Sequence, residues 1–157
     1  MSNIDPRNHT AICCFLMVAR HFHLDFTLEG IAHKYALQDV EAPLPLLLRI
    51  AKEHGFRAKE ERLTWERLFK LGKAFPFIAR LKDGKSVIIS GIQQGEENRV
   101  AILNPLDLQG GFKFLNKEEL EGIWDGTTVF IKRSFKLSDE DQPFSLRWFL
   151  PEIIREK

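Results

Sequence analysis

The chain is poor in the residue patterns that usually carry chemistry. Its 157 residues include two cysteines, one tyrosine and five histidines. Cys13 and Cys14 are adjacent, cannot staple distant segments, and mark the chain as a reduced, intracellular protein. No CxxC or HExxH spacing occurs, and His21 and His23 stand two apart on one helical stretch, off a common face. No metal site is therefore expected. Neither GxGxxG nor a Walker sequence is present, so nucleotide binding by this segment is not expected either. A dominant charge sign is also missing. With 23 Lys+Arg against 22 Asp+Glu, the net charge of +1 makes no case for nucleic acid or an anionic membrane surface. No apolar run approaches the roughly 18 residues that span a bilayer, so the segment reads as soluble. The polar start, with Asp5, Pro6, Arg7 and His9, carries no signal-peptide pattern. What remains is a 44% hydrophobic chain of a length that suits one domain with a real core.

Helical spacing comes first. Ile12, Phe15, Leu16, Ala19 and Phe22 predict a helix over 10–23, capped by Thr10 or Asn8. Thr27 is a good cap for a helix to Tyr35. A third helix starts at Pro43 or Pro45 and ends at Gly55, the expected proline-first, glycine-last asymmetry. The character then changes. Arg57–Leu63 reads as an edge strand, and Thr64 caps a short helix with Trp65, Leu68 and Phe69. Phe77–Leu81, Asp83-Gly84 and Ser86–Ile92 form a hairpin pattern, because Asp-Gly supplies the positive φ of a tight turn. Strands follow at Arg99–Leu103 and Phe112–Leu115. Asn116 with Glu119 is a capping pattern for a helix through Ile123 and Trp124, and Thr127–Lys132 is a last strand. Helices first and antiparallel strands second is an α+β order. Residues 1–133 form the expected domain. Residues 134–142 look like an acidic linker, and 144–154 turn apolar again, with Trp148 and Phe149.

A cysteine nucleophile needs a neighbouring base and a lowered pKa. Cys13 and Cys14 instead sit one turn inside an apolar helix, where free cysteine behaves as a small hydrophobe. Residue chemistry alone stops at an α+β domain.

The order of features resembles the C39 peptidase domain, a papain-like fold found in bacteriocin-exporting ABC transporters. That family opens with a motif like D-C-G-x-x-C-L-x-M-I-A, whose first cysteine is the nucleophile. Here Met17-Val18-Ala19 matches its end, which puts Thr10 at the nucleophile position and Cys14 at the second cysteine. The family's D-G-x-H hairpin is matched by Asp83-Gly84-Lys85-Ser86, with Ser86 in place of histidine. Its strand ending in Asp-Pro is matched by Leu103-Asn104-Pro105, with Asn104 in place of aspartate. The oxyanion glutamine has no counterpart, because Ile4 or Asp5 stands there.

Each triad position thus holds a residue unable to fill its role. That pattern is similar to the C39-like domain of type I secretion ABC transporters of the hemolysin-exporter class. Leu48–Lys59, Leu71–Gly84, Trp124–Lys132 and Phe144–Glu156 match the same class, the last resembling the entry to its first transmembrane region. The resemblance implies a papain-like C39 fold with N-terminal helices on a C-terminal antiparallel sheet and no catalysis. It implies a domain at the cytoplasmic face of the bacterial inner membrane that holds an unfolded, glycine-rich-repeat (RTX-type) export substrate. The chain's own transmembrane and nucleotide-binding domains and an adaptor protein would be further partners. No cofactor is implied for this domain; ATP and Mg would belong to the nucleotide-binding domain.

Two candidate substrate surfaces follow. One is the degenerate cleft of Thr10, Ser86 and Asn104 with Cys13 beside it. The other is an aromatic surface with Trp65 and Phe77, together with Phe69 and Phe75, residues for which core packing is the better reading. A module contacting the ATPase domain or the adaptor is an alternative. An active peptidase using Cys13 or Cys14 with His9 or His21 is a further one.

Overall fold

The computed structural model describes residues 4–72 and 75–133. The expected acidic linker and apolar end lie outside the described residues. After a 3-10 turn at Pro6–Asn8 come helices α1 (Thr10–His21), α2 (Leu28–Tyr35) and α3 (Leu44–Glu53). Strand β1 (Phe56–Arg62) precedes the short helix α4 (Trp65–Leu68). Then follow β2 (Phe77–Leu81), β3 (Ser86–Gln93), β4 (Arg99–Leu103), β5 (Phe112–Leu115), α5 (Lys117–Ile123) and β6 (Trp124–Arg133). The α+β expectation holds element by element.

Local signals explain most boundaries. Thr27 and Thr64 accept from the N–H groups of Gly30 and Arg67, capping α2 and α4. Asn116 and Glu119 form a reciprocal capping box on α5. Gly84 takes φ +90° in the β2–β3 turn, as the Asp-Gly pattern requires. Two expectations need correction. Helix α5 stops at Ile123, and Trp124 begins β6, where its indole N–H donates to the Thr127 carbonyl at 2.8 Å. Neither Thr10 nor Asn8 caps α1: His9 is the cap residue without a side-chain bond, and Asn8 donates to Asp39 at 2.6 Å.

The sheet runs β1-β6-β2-β3-β4-β5 and every pair is antiparallel. The expected edge strand β1 is an edge, joined to β6 by a register of Phe56 opposite Arg133. Gly126 allows this junction. At φ +102°, a Cβ there would lie 2.3 Å from the Leu63 carbonyl oxygen.

Alternation divides the sheet between two cores. Ile78, Ile88, Val129 and Ile131 face α1–α3 and pack with Phe15, Leu47 and Ile50. Phe77, Ala79, Val87, Ile89 and Trp124 face the other way and pack with Leu68 of α4 and Leu120 of α5. Because the central strands are covered on both faces, β2 and β3 read as continuous apolar runs.

Candidate functional site

Helix α1 begins with unpaired backbone N–H groups, as every helix does. Its first donors find Glu41, which lies in the α2–α3 connection. One carboxylate oxygen accepts the Thr10 N–H at 2.9 Å and the Thr10 hydroxyl at 2.7 Å. The other accepts the Ala11 N–H at 3.2 Å. A carboxylate at this end also meets the positive pole of the helix dipole. Lys85 Nζ stands 3.8 Å from the same carboxylate and donates to the Arg7 carbonyl.

The Thr10 hydroxyl is used twice. It accepts the Ser86 N–H at 2.8 Å, which ties the start of α1 to the start of β3. The Ser86 hydroxyl accepts from Arg80 Nε at 3.2 Å, and Arg80 Nη2 donates to the Ala42 carbonyl at 2.7 Å. Ala42 follows Glu41, so the ring closes on itself. Thr10 and Ser86 are 2% and 1% exposed. The structure thus brings together two of the expected cleft residues, but buries both. Both hydroxyls are spent on internal partners, Thr10 on Glu41 and Ser86 on Arg80.

Asn104 stays apart. It is exposed at the end of β4, and its side-chain oxygen accepts the Leu106 N–H at 2.8 Å in a local turn. Cys13 is half-buried one turn along α1, and its thiol is pushed up to about 11, first by burial and then by the Glu41 carboxylate. Cys14 is fully buried and its thiol is pushed well above the ordinary value, mainly by burial. At neutral pH both are thiols, the unreactive form.

The aromatic candidates separate. Phe77 is 0% exposed in the core beneath α4, in keeping with the core-packing reading. Trp65 is half-buried, its ring 5.0 Å from that of Phe69. His9 is buried with Nδ1 unpartnered, and His54 binds the Ile50 carbonyl at 2.8 Å. Among the described residues, no three His, Cys, Asp or Glu side chains gather to hold a metal, and no helix is long and apolar enough to cross a membrane.

Sequence reasoning missed Glu41 and Arg80. Neither carries a local signal, because their partners lie 31, 6 and 38 residues away along the chain. The arrangement bears on one part of acyl-transfer chemistry. Backbone N–H groups at the head of a helix can polarise a carbonyl oxygen. Here those N–H groups are committed to an internal carboxylate.

Helices on an antiparallel sheet, with a helix head against the β2–β3 hairpin, define the class, and the peptidase C39 family matches residues 5–136. The chain belongs to the peptidase C39 family. It is similar to the alpha-hemolysin translocation ATP-binding protein HlyB of Proteus vulgaris, 25% identical over 150 residues, covering 95% of this chain and 20% of that protein. It is also similar to the leukotoxin translocation ATP-binding protein LktB of Mannheimia haemolytica, 23% identical over 149 residues, with 95% and 20% covered. The chain therefore spans about a fifth of the length of these curated relatives.

Among solved structures it resembles the N-terminal peptidase C39-like domain of a toxin secretion ATP-binding protein from Vibrio parahaemolyticus. The TM-score is 0.68 at 24% identity, covering 80% of this chain and 98% of that one. A double glycine motif protease from an AMS/PCAT transporter, solved with its leader peptide, gives 0.69 at 20% identity, with 85% and 90% covered. These likenesses establish the shared fold.

Proposed function

We propose that this C39 domain is a non-proteolytic module of a type I secretion ABC exporter. It holds an unfolded RTX-type substrate at the cytoplasmic face of the bacterial inner membrane during export. The observation that carries the reading is the buried ring around Thr10. Acyl transfer needs an activated nucleophile, a base and free oxyanion donors. At the matching positions the domain has a threonine hydroxyl bonded to a carboxylate, a serine that cannot act as a general base, and N–H groups already filled. None of the hydrogen bonds of Thr10 or Ser86 goes to a histidine. The similarity to toxin translocation proteins over 95% of the chain supplies the transport context. ATP and Mg would be bound by a nucleotide-binding domain outside this chain, and the domain itself would need no cofactor.

Holding an unfolded chain asks for apolar contacts and open backbone edges rather than catalysis. The test is a titration of the isotope-labelled domain with an RTX-type substrate, unfolded in chelator and folded in calcium. Amide shifts with the unfolded form alone support the reading. Specific cleavage of a double-glycine leader peptide by the domain overturns it.

A second reading rests on a separate observation. Strand β5 leaves Phe112 and Phe114 54% and 48% exposed at the far edge of the sheet. Such a patch fits contact with the exporter's own ATPase domain or with an adaptor protein. Loss of secretion on substituting both, with substrate binding unchanged, selects this reading.

A further inference from the structure

The edge opposite β5 has a different character. Among the described residues, strand β1 pairs with β6 on one side only, so alternate residues turn N–H and C=O groups without a strand partner outward. Beside that edge runs an open groove of about 580 Å³. Its polar lining includes Arg57, Lys59, Arg67 and Lys132, and Leu71 and Phe130 form apolar floor. The register explains the cluster. Arg57 lies opposite Lys132, and Lys59 opposite Phe130, so these side chains share the face that α4 only partly covers.

The charge balance of the groove is uneven. Glu61 is its one lining carboxylate, and it pairs with Lys59 at 2.8 Å. Arg57, Arg67 and Lys132 form no ion pair with any described residue. Like charges set opposite each other across a strand pair are destabilising, and Arg57 against Lys132 is such a pair. The chain as a whole is nearly neutral, so three cations without an ion pair among the described residues are a local concentration and not a general excess.

We propose that this edge and groove capture an acidic, extended segment of the unfolded export substrate by strand addition to β1. The proposal rests on the substrate-holding reading and gives that reading its site, away from the buried Thr10 ring. An added strand directs alternate side chains to one face. Carboxylates at alternate positions on that face then meet Arg57, Lys132 and Arg67, while an apolar residue at another position of the same face reaches Leu71 or Phe130. Backbone pairing makes the capture tolerant of sequence, and the cations make it selective for acidic stretches.

The test uses a 12-residue Gly/Asp alternating peptide as probe, with a Gly/Asn peptide and an alternately N-methylated Gly/Asp peptide as controls. The Gly/Asp peptide is expected to shift the amides of residues 56–62 and 129–133. Raising salt from about 50 to 500 mM should weaken it severalfold, because exposed charges are screened over about 10 Å at 0.1 M. Each exposed ion pair changes affinity by roughly twofold to fivefold. The triple variant Arg57→Gln, Arg67→Gln, Lys132→Gln should therefore lose about tenfold or more, with its circular dichroism unchanged.

Equal binding of the Gly/Asn peptide overturns the charge selection, and equal binding of the N-methylated peptide overturns strand addition. The variant Asp139→Asn, Glu140→Gln, Asp141→Asn asks about the chain's own acidic stretch. Groove shifts in that variant before any peptide is added make that stretch the occupant and overturn the proposal. The full unfolded substrate is titrated in parallel. If it binds the triple variant as tightly as the original chain, the groove proposal fails while the substrate-holding reading stands. If it binds neither chain, the substrate-holding reading fails with it.

Discussion

Replacing Glu41 by alanine should unseat the head of α1. The substitution removes the acceptor of three hydrogen bonds, from the Thr10 N–H, the Ala11 N–H and the Thr10 hydroxyl. Bonds to a charged acceptor contribute about 1.5–3 kcal/mol each, and losses within one cluster do not add in full. The carboxylate is 16% exposed, so water replaces part of what is lost. A net cost of about 3 kcal/mol follows, against a total stability of about 5–15 kcal/mol for a domain. For a domain of this size that corresponds to a fall in Tm of about 10–15 °C. Glu41→Gln keeps one acceptor oxygen and should cost about half as much.

Calorimetry on both variants, with exposed Glu96→Ala as control, measures the effect. Cys13 supplies a second readout. Glu41 is the lesser of the two causes that raise its thiol, so the alanine variant should bring the titration below about 11 while burial keeps it above the ordinary value. Thiolate absorbance against pH reads this directly. A Tm within about 3 °C of the original chain, or a Cys13 titration that does not move, refutes the claim that this carboxylate fills the helix head.

Other consequences are open to simpler measurements. Phe77→Ala empties a fully buried site and should cost about 3–5 kcal/mol in denaturant unfolding, where a surface role would cost almost nothing. Iodoacetamide at pH 8 should leave Cys14 unmodified in the folded chain and label Cys13 far more slowly than a free thiol; rapid labelling of either at neutral pH would revive the peptidase alternative. Tyr35 is the chain's one tyrosine, and burial, then its 2.5 Å bond to Glu53, push its hydroxyl up to about 12. Absorbance at 295 nm should therefore titrate near 12 in the folded domain and near 10 in denaturant. The same bond is the main cause holding Glu53 below its usual value of 4.5. The pair's contribution is therefore present at neutral pH. It fades as pH falls through the folded value of Glu53, and again as pH rises from about 10 through about 12. In Tyr35→Phe both slopes should flatten.

Much of the fold is written in short stretches of this chain. The helix faces of α1–α3, the threonine caps, the Asp83-Gly84 turn and the Asn116–Glu119 box each need only residues within a turn or two of one another. Capping residues and the apolar period specify such elements from residues close together in the chain, and packing then stabilises them. Even the edge position of β1 was legible, because Arg57, Lys59, Glu60, Glu61 and Arg62 suit a strand with one side open to water.

The family pattern also located Thr10 and Ser86 at one place, and the structure joins them by a hydrogen bond. Their burial, by contrast, is something composition could not foretell. Whether a hydroxyl faces solvent or a carboxylate depends on what the fold carries over it. Glu41 reaches Thr10 from the α2–α3 connection, and Arg80 reaches across from β2 to Ser86 and Ala42. The same holds for the basic groove. Arg57 and Lys132 are 75 positions apart and become neighbours only because β6 returns along β1. Sequence alone decided which segments would be helix or strand, since that choice is made by residues already adjacent in the chain. Tertiary structure alone decided which charges would meet, since opposition across a sheet is a property of strand order and register.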